Sequence, residues 1–183
     1  MTVRPGGREA PVPVDSDLRG PTLHLSQAAV LETERLLRTY GGGDEHEGIV
    51  FLGGLETAHG AVGMTALSPR AVTTYGSFST DTEANTDVVI ELARAGLTLV
   101  GQVHSHPGRW VDHSDGDDEG ALVRFEGYWS LVVPEFAREG MRPLGRCGVH
   151  VFRGGEFRRL TLEALGARLQ LVPAAIELRG EAR

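Results

Sequence analysis

GQVHSHPGRWVDHSDGD, at residues 101–117, is the most informative stretch of the sequence. An apolar run at 97–103 leads directly into it and predicts a buried strand. Because side chains alternate along a strand, His104 and His106 project from one face, about 7 Å apart along the backbone. Pro107 cannot continue a hydrogen-bonded ladder, so we expect the strand to end where the two imidazoles are presented.

Downstream of the histidines, Ser114-x-x-Asp117 adds a hydroxyl and a carboxylate near the start of a predicted short helix. Two imidazoles and a carboxylate can bind one Zn²⁺ and leave the fourth tetrahedral position to water, as catalytic sites do. Each half also has an ordinary interpretation, because His-x-His is often a hydrogen-bonded pair and Ser-x-x-Asp a helix capping box. The combination predicts a metal centre of His104, His106 and Asp117.

A glutamate upstream completes the pattern. Glu47 opens the segment EGIVFLGG, residues 47–54, whose apolar run predicts a strand buried on both faces. A glutamate at the start of such a strand, then His-x-His, seven residues and Ser-x-x-Asp, resembles the JAMM (MPN-domain) zinc metalloproteases, in particular bacterial members that act on ubiquitin-like proteins. The resemblance covers residues 22–162. In that family the glutamate lies seven residues before a glycine, an interval that Glu47 and Gly54 keep.

Glu45 is a rival for the role of that glutamate. Counted from Glu45, Gly48 takes the midway position where the family usually has a small residue, but Leu52 stands where the terminal glycine belongs. Counted from Glu47, Val50 is midway and the terminal glycine is in place. We prefer Glu47 and keep Glu45 as the alternative.

The resemblance implies a mechanism and a role for each residue. His104, His106 and Asp117 would bind zinc, Glu47 would act as the proton-transferring base, and Ser114 would donate a hydrogen bond to the developing oxyanion. The bond cut would be the amide after the C-terminal glycine of a ubiquitin-like protein, in deconjugation or in precursor processing. Its activating and conjugating enzymes would be further partners. Two alternatives stay open: a non-catalytic MPN-type scaffold that binds a ubiquitin-like partner, and a zinc hydrolase of a small-molecule amide.

Other hydrolase classes lack their sequence signatures. A zincin needs His-Glu-x-x-His on a helix, but Val50 stands where the second histidine of the His46-Glu47 pair should be. A zinc deaminase needs Pro-Cys-x-x-Cys, and the chain has one cysteine. Ser105 is flanked by histidines, yet no Gly-x-Ser-x-Gly elbow surrounds it.

Composition sets the remaining bounds. The 183 residues are 40% hydrophobic and 23% charged, which is typical of one globular domain. The formal net charge of −7 argues against a surface that coats nucleic acid. No apolar run approaches the roughly 20 residues that span a bilayer, and no signal-peptide pattern is present at the start, so we expect no membrane association and a cytoplasmic location.

Helix and strand signals interleave along the chain, but the late strands form hairpins. They predict one α/β domain with a mixed central sheet flanked by helices. The resemblance gives it a JAMM/MPN, cytidine-deaminase-like architecture. We expect a flexible tail at 1–20, the domain at 21–172 and a second tail at 173–183. Predicted strands lie at 22–25, 49–52, 61–67, 97–103, 128–133, 148–152 and 157–162. Predicted helices lie at 27–40, capped by Ser26 and ended by glycines 41–43; from a Thr80-x-x-Glu83 capping box to Gly96, with Val89, Leu92 and Ala93 on one face; and at 162–171.

Several polar neighbours of the motif need a prediction. We expect His113 and Asp112 to face solvent in a loop, with a role beside the ligands as the alternative. Asp115 and Asp118 do not fit the three-residue offset from Ser114 that Asp117 has. Trp110 either lines a substrate groove or packs the loop. The remaining histidines and the cysteine are expected to be ordinary residues: His24, His59, His150 and Cys147.

Overall fold

The computed structural model describes residues 11–41 and 45–173. Strands are β1 (Val14–Asp15), β2 (Thr22–Ser26), β3 (Ile49–Thr57), β4 (Gly60–Leu67), β5 (Val72–Thr74), β6 (Ser77–Ser79), β7 (Thr98–Ser105), β8 (Trp129–Val133), β9 (Gly148–Arg153), β10 (Glu156–Leu160) and β11 (Leu169–Val172). Helices are α1 (Gln27–Gly41), α2 (Thr82–Arg94), α3 (Asp115–Gly120) and α4 (Leu162–Arg168). None of the described helices is long and apolar enough to cross a membrane.

Nine strands form one mixed sheet in the order β1-β10-β9-β8-β7-β3-β4-β2-β11, while β5 and β6 form a separate hairpin. The central strand β7 runs antiparallel to β3 and parallel to β8. Helices pack against the sheet, so the predicted α/β fold with a mixed sheet is confirmed. Residues 1–10, the glycines at 42–43 that were predicted to end the first helix, and most of the predicted C-terminal tail lie outside the described residues.

Strand β3 is buried on both faces, as its continuous apolar run predicts. Val50 and Leu52 belong to one hydrophobic cluster, whereas Ile49 and Phe51 belong to another that includes residues of α2. The strand bulges beside Gly54, where a β-carbon would lie 1.8 Å from the Val62 carbonyl oxygen. Only glycine fits this close approach, which explains physically why a glycine ends the motif that Glu47 opens.

Helix α2 begins later than its sequence pattern predicted. Asp81, not Thr80, is the N-cap, and its carboxylate accepts a hydrogen bond from Ala84 N at 2.7 Å. The buried face of the helix also differs from the predicted one. The buried side chains are Ala84, Val88 and Leu92, since Val88 and Leu92 pack in the cluster that contains Ile49 and Phe51 of β3. Val89, predicted on the same face as Leu92, is 49% exposed.

Three other segments differ from their predictions. The last predicted helix ends at Arg168, because Leu169–Val172 pairs in parallel with β2. The segment 68–79, which has the composition of an irregular loop, contains the hairpin of β5 and β6. Within the predicted N-terminal tail, β1 pairs with β10 and the side chain of Asp15 is buried, so that part of the chain is held against the sheet.

A buried ion pair joins the two ends of the nine-stranded sheet. Arg168, fully buried just before the edge strand β11, donates from Nη1 to Asp15 Oδ2 of the opposite edge strand β1 at 2.9 Å. The same guanidinium donates to the carbonyl oxygens of Asp17 and Pro21. Strands that are far apart in the sheet order are thereby held together.

We expect Asp15→Ala to lower the free energy of unfolding by about 3 kcal/mol, because it leaves the Arg168 charge buried without its carboxylate. Chemical denaturation measures this. The matched control is Asp17→Ala, since the Asp17 carboxylate is exposed and pairs with Arg153 near the surface. Equal losses of unfolding free energy in the two variants would show that the buried ion pair does not hold the two ends of the sheet together.

Candidate metal centre

Three side chains that the sequence predicts as ligands converge in the structure. His104 Nε2 lies 3.2 Å from His106 Nε2 and 3.4 Å from Asp117 Oδ1, and His106 Nε2 lies 3.3 Å from Asp117 Oδ2. Ligand atoms at about 2.0–2.1 Å from a tetrahedral zinc ion are about 3.3 Å apart. The two imidazole nitrogens have such a separation, and each lies at a similar distance from one of the two carboxylate oxygens of Asp117. Among the described residues this is the only group of three or more His, Cys, Asp and Glu side chains that could hold a metal ion.

The pairing of β7 with β3 sets the histidines in place. Ser105 N donates to the carbonyl oxygen of Gly48 at 3.1 Å, and Gly48 N donates to Ser105 Oγ at 3.0 Å. These two bonds extend the pairing one residue beyond Ile49 and His104. His106, just past the strand, is held by its backbone N–H donating to Val133 of β8.

The capping box of α3 aims the carboxylate of Asp117. Ser114 Oγ accepts from Asp117 N at 3.2 Å, while Ser114 N and Oγ donate to Asp117 Oδ2 at 2.7 and 2.8 Å. Those bonds leave Oδ1 directed at His104. The capping interpretation and the metal-site interpretation of Ser114-x-x-Asp117 therefore describe one geometry rather than two alternatives.

Electrostatics favour protonation states suited to metal binding at Asp117 and His104, whereas at His106 they favour the protonated ring. Burial would raise the pKa of Asp117, but the two adjacent histidines hold it far below its usual range. Burial lowers the pKa of His104 despite the nearby carboxylate. For His106 burial acts in the same direction, but the hydrogen bond and charge of Asp117 outweigh it and raise the pKa. A carboxylate and a neutral imidazole are the forms that bind metals.

Trp110 both packs the loop and lines the site. Its ring stacks on the His106 imidazole at 5.1 Å between centroids, with 10° between the planes. Its carbonyl oxygen accepts from His106 Nδ1 at 3.0 Å. A carbonyl only accepts, so the proton sits on Nδ1 and Nε2 is directed at Asp117, the arrangement usual for metal-binding histidines.

A left-handed turn at residues 135–137 also holds the loop that carries His106. Glu135, Phe136 and Ala137 all have φ between 55° and 56°. In this conformation Phe136 N donates to the carbonyl of His106 at 2.8 Å, and Glu135 N donates to the carbonyl of Gly108 at 3.0 Å. Two backbone donors therefore hold the segment that carries one histidine.

Glu47 lies in a cleft beside the three converging side chains. The cleft encloses about 130 Å³, and its lining also includes His106, Trp110, Ser114 and Asp117. Glu47 is 4% exposed, and burial raises its pKa to about 7. The rival Glu45 is exposed and pairs with Arg138, outside this cleft. Of the two glutamates, the structure brings only Glu47 to the candidate centre.

Two histidines near the centre were not anticipated. His113 is fully buried, so the expectation that it faces solvent is wrong; Nδ1 lies 2.7 Å from Asp118 Oδ1 and Nε2 lies 2.8 Å from Ser130 Oγ. Burial and the neighbouring histidines lower its pKa well below the usual value, so the ring is neutral. The His150 ring, also buried, lies 4.1 Å from that of His113, and neither of its nitrogens has a hydrogen-bond partner among the described residues.

One sequence signal could have located His113. It directly precedes the N-cap Ser114, and Asp118 is the fourth residue of the first turn beyond that cap. Side chains at these two positions touch in the hydrophobic staple, and here the contact is polar. Asp112, by contrast, turns away and accepts from Arg159 at 2.6 Å. Cys147, expected to be an ordinary residue, is buried in the main hydrophobic cluster.

In the metal-free protein, we expect Glu47→Gln to gain stability relative to wild type as the pH rises. Folding raises the pKa of Glu47 from 4.5 to about 7, so its stabilising contribution is complete at low pH and is lost as the pH rises between these values. The difference should grow by about 3 kcal/mol between pH 4.5 and pH 7.5. Urea denaturation of both proteins across this range measures it. A difference independent of pH would contradict the burial argument.

Three solved structures are similar to this chain, and the first of them shows a shared fold. A protein from Desulfitobacterium hafniense, known from its solution structure, is 15% identical, with a TM-score of 0.57 over 82% of this chain and 92% of that one. A Salinibacter ruber protein is 20% identical, with a TM-score of 0.48 over 69% of this chain and 82% of that one. A JAB1/MPN domain protein from Archaeoglobus fulgidus is 18% identical, with a TM-score of 0.46 over 84% of this chain and all of that one.

Comparison of sequences gives a short but strong similarity. No family model matches the chain. It is 56% identical over 48 residues to the probable metalloprotease y4jG of Sinorhizobium fredii, a match that covers 26% of this chain and 29% of the relative. The match thus spans less than a third of the relative's length. With the motif residues brought together as described, the predicted resemblance is confirmed: the chain resembles the JAMM (MPN-domain) metalloproteases.

Proposed function

We propose that this chain is a zinc-dependent peptidase that hydrolyses the amide bond after the C-terminal glycine of a ubiquitin-like protein, in deconjugation or precursor processing. The observation that carries the proposal is the convergence of His104, His106 and Asp117, with 3.2 Å between the two Nε2 atoms and 3.3–3.4 Å from each to a carboxylate oxygen, beside a buried glutamate. At the coarser level of a metallohydrolase, the similarity to a probable metalloprotease supports it.

The donor set suits zinc. Two imidazole nitrogens and one carboxylate oxygen are the ligands of many catalytic zinc sites. A bound zinc ion would supply Lewis acidity, polarising a carbonyl and lowering the pKa of a water molecule to about 7. His104, His106 and Asp117 would hold the ion, and the stack of Trp110 on His106 would keep that imidazole in place.

Glu47 is the proton carrier of the proposal. Its carboxylate faces the cleft, and a pKa of about 7 lets it take a proton and release it again near neutral pH. It would accept a proton from the attacking water at one carboxylate oxygen. It would then return that proton to the leaving nitrogen.

Ser114 would donate its hydroxyl proton to the oxyanion that develops on the substrate carbonyl. In the structure this hydroxyl donates to Asp117 Oδ2 at 2.8 Å, so the role requires it to turn towards the cleft. Two bonds that do not use the hydroxyl would still hold the start of the helix in that state: Ser114 N donates to Asp117 Oδ2, and Asp118 N donates to the carbonyl oxygen of Ser114. Loss of one oxyanion donor typically costs about 10²–10³ in rate.

The shape of the cleft supports a substrate that ends in glycine. Gly76 and Gly108 are among its lining residues, with Trp110 beside them. A space of about 130 Å³ accepts an extended backbone more readily than bulky side chains. Enzymes that conjugate the same ubiquitin-like protein would be further partners.

The two alternatives make different use of the same residues. A non-catalytic MPN-type scaffold needs neither three converging ligands nor a buried glutamate, and this chain has both. A zinc hydrolase of small-molecule amides would use the same machinery on another substrate. The experiments below separate the three.

The purified protein should bind about one zinc ion per chain, measured by elemental analysis, and should melt at a higher temperature with zinc than with a chelator, because binding only the folded state stabilises it. Asp117→Ala should abolish this difference, since it removes a charged ligand. His59→Ala, at an exposed histidine elsewhere, should keep it. A protein whose melting temperature is insensitive to zinc would argue against the centre.

Glu47→Gln should lower kcat by about 10²–10⁴ on a ubiquitin-like protein extended beyond its C-terminal glycine, while zinc stays bound, because only the proton carrier is lost. Gel-based cleavage assays with zinc analysis measure both. Glu45→Gln should retain wild-type turnover. A scaffold would bind the substrate without cleavage in any form, and a small-amide hydrolase would leave the fusion intact while cleaving model amides.

A further inference from the structure

His113 occupies an unusual place next to the candidate centre. It is fully buried, and its ring lies 5.6 Å from that of His104 and 4.8 Å from that of Phe157. It is not among the three side chains that can share an ion. Burying polar groups is costly unless they are paired, and both nitrogens of this buried imidazole have polar partners. These partners show how the side chain is held.

The hydrogen bonds of His113 form a directed chain. The carboxylate of Asp118 can only accept, so His113 Nδ1 donates to it at 2.7 Å. Nε2 of the neutral ring then accepts from the hydroxyl of Ser130 at 2.8 Å. Gln102 Nε2 in turn donates to Ser130 Oγ at 3.3 Å. The order Gln102, Ser130, His113, Asp118 follows from what each group can donate.

This series of hydrogen bonds connects the elements that carry the predicted ligands. Gln102 shares a face of β7 with His104, because they are two residues apart on a strand, and Ser130 is the paired residue on β8. Asp118 is the neighbour of Asp117 on α3. The chain therefore ties the helix of one ligand to the strand of another along a path that does not pass through the ion.

Helix α3 needs such a tether. It has six residues, including two glycines, and helices this short are not stable on their own. Its capping box fixes Asp117 relative to Ser114 but does not fix the helix relative to the sheet. His113 does so, because one ring nitrogen binds Asp118 of the helix and the other binds Ser130 of β8. A small shift of the helix at this point would move the Asp117 carboxylate away from the two imidazoles.

We propose that His113 is a positioning residue that holds Asp117 in register with His104 and His106, and so sets the affinity and the geometry of the bound metal. The proposal rests on the metal centre of the proposed function. It predicts that removing the hydrogen bonds of His113 weakens metal binding while the sheet stays folded. Outer partners of metal ligands typically change affinity by 10–100-fold.

The test compares His113→Phe with His150→Phe. Both remove a fully buried imidazole from the same ring cluster, but among the described residues His150 makes no side-chain hydrogen bond. We expect His113→Phe to weaken Zn²⁺ binding 10–100-fold, measured by competition with a chromophoric chelator, and His150→Phe to change it less than threefold. His113→Asn should restore only part of the affinity, because its amide nitrogen can donate to Asp118 from near the position of Nδ1 but nothing replaces Nε2 as the partner of Ser130.

A spectroscopic readout separates positioning from general loosening. With Co²⁺ in place of zinc, the visible absorption bands report the coordination geometry. Those of His113→Phe should shift or lose intensity, whereas those of His150→Phe should match wild type. Should His113→Phe fail to fold, Asp118→Ala breaks the same chain nearer the surface, with Asp115→Ala on the same helix as the control for loss of one charge. We expect weaker binding from the first only.

Each outcome has one meaning. Equal affinities and identical Co²⁺ spectra for the two phenylalanine variants would overturn the positioning role and leave the proposed metal centre intact. Equal affinities for Asp118→Ala and Asp115→Ala would also overturn it. If the wild-type protein binds neither Zn²⁺ nor Co²⁺, the proposed function itself fails before the variants are compared.

Discussion

The register of β3 against β7 is the constraint on which the candidate centre depends. Gly48 and Ser105 exchange two hydrogen bonds at the end of this pairing, one of them through the serine hydroxyl. A slip by one residue would turn both histidines to the opposite face of the sheet. A β-carbon on Gly48 would also lie 2.4 Å from the ring of Tyr40 in α1, so the helix fixes the same point. Glu47 directly precedes Gly48, so its position depends on the same pairing.

The candidate site is built mostly from interactions that are local in sequence. Alternation along a strand puts His104 and His106 on one face, and a capping box points Asp117 at them. These relations need only spacings of two or three residues, which is why the sequence predicts them. The choice between Glu47 and Glu45 is different, because it depends on how β3 meets β7. Only the folded chain separates the buried glutamate from the exposed one.

The wrong sequence predictions concern features that depend on contacts distant in sequence or on a choice between neighbouring residues. Asp81 and Thr80 are adjacent residues of cap-forming type, and Asp81 caps the helix in the structure. Packing of Val88 and Leu92 in the cluster of β3 residues leaves Val89 at the surface. The residues of β11 were predicted as helix, but their pairing with β2, about 145 positions earlier, overrides that local preference. His113 lies in a loop of polar sequence, yet partners on β8 and α3 draw it inside.

The left-handed turn at residues 135–137 relates the stability of the fold to the rigidity of the loop that carries His106. Non-glycine residues in this conformation cost about 1–2 kcal/mol each, and here three stand in succession. The chain keeps that strain at the place where two amide groups brace the loop of His106. Glycine at residue 135, the one of the three whose side chain is not buried, would relieve strain there and also make the two backbone hydrogen bonds to the loop less rigid. An engineer who selects this protein only for heat resistance would therefore tend to erode the rigidity of its reactive loop.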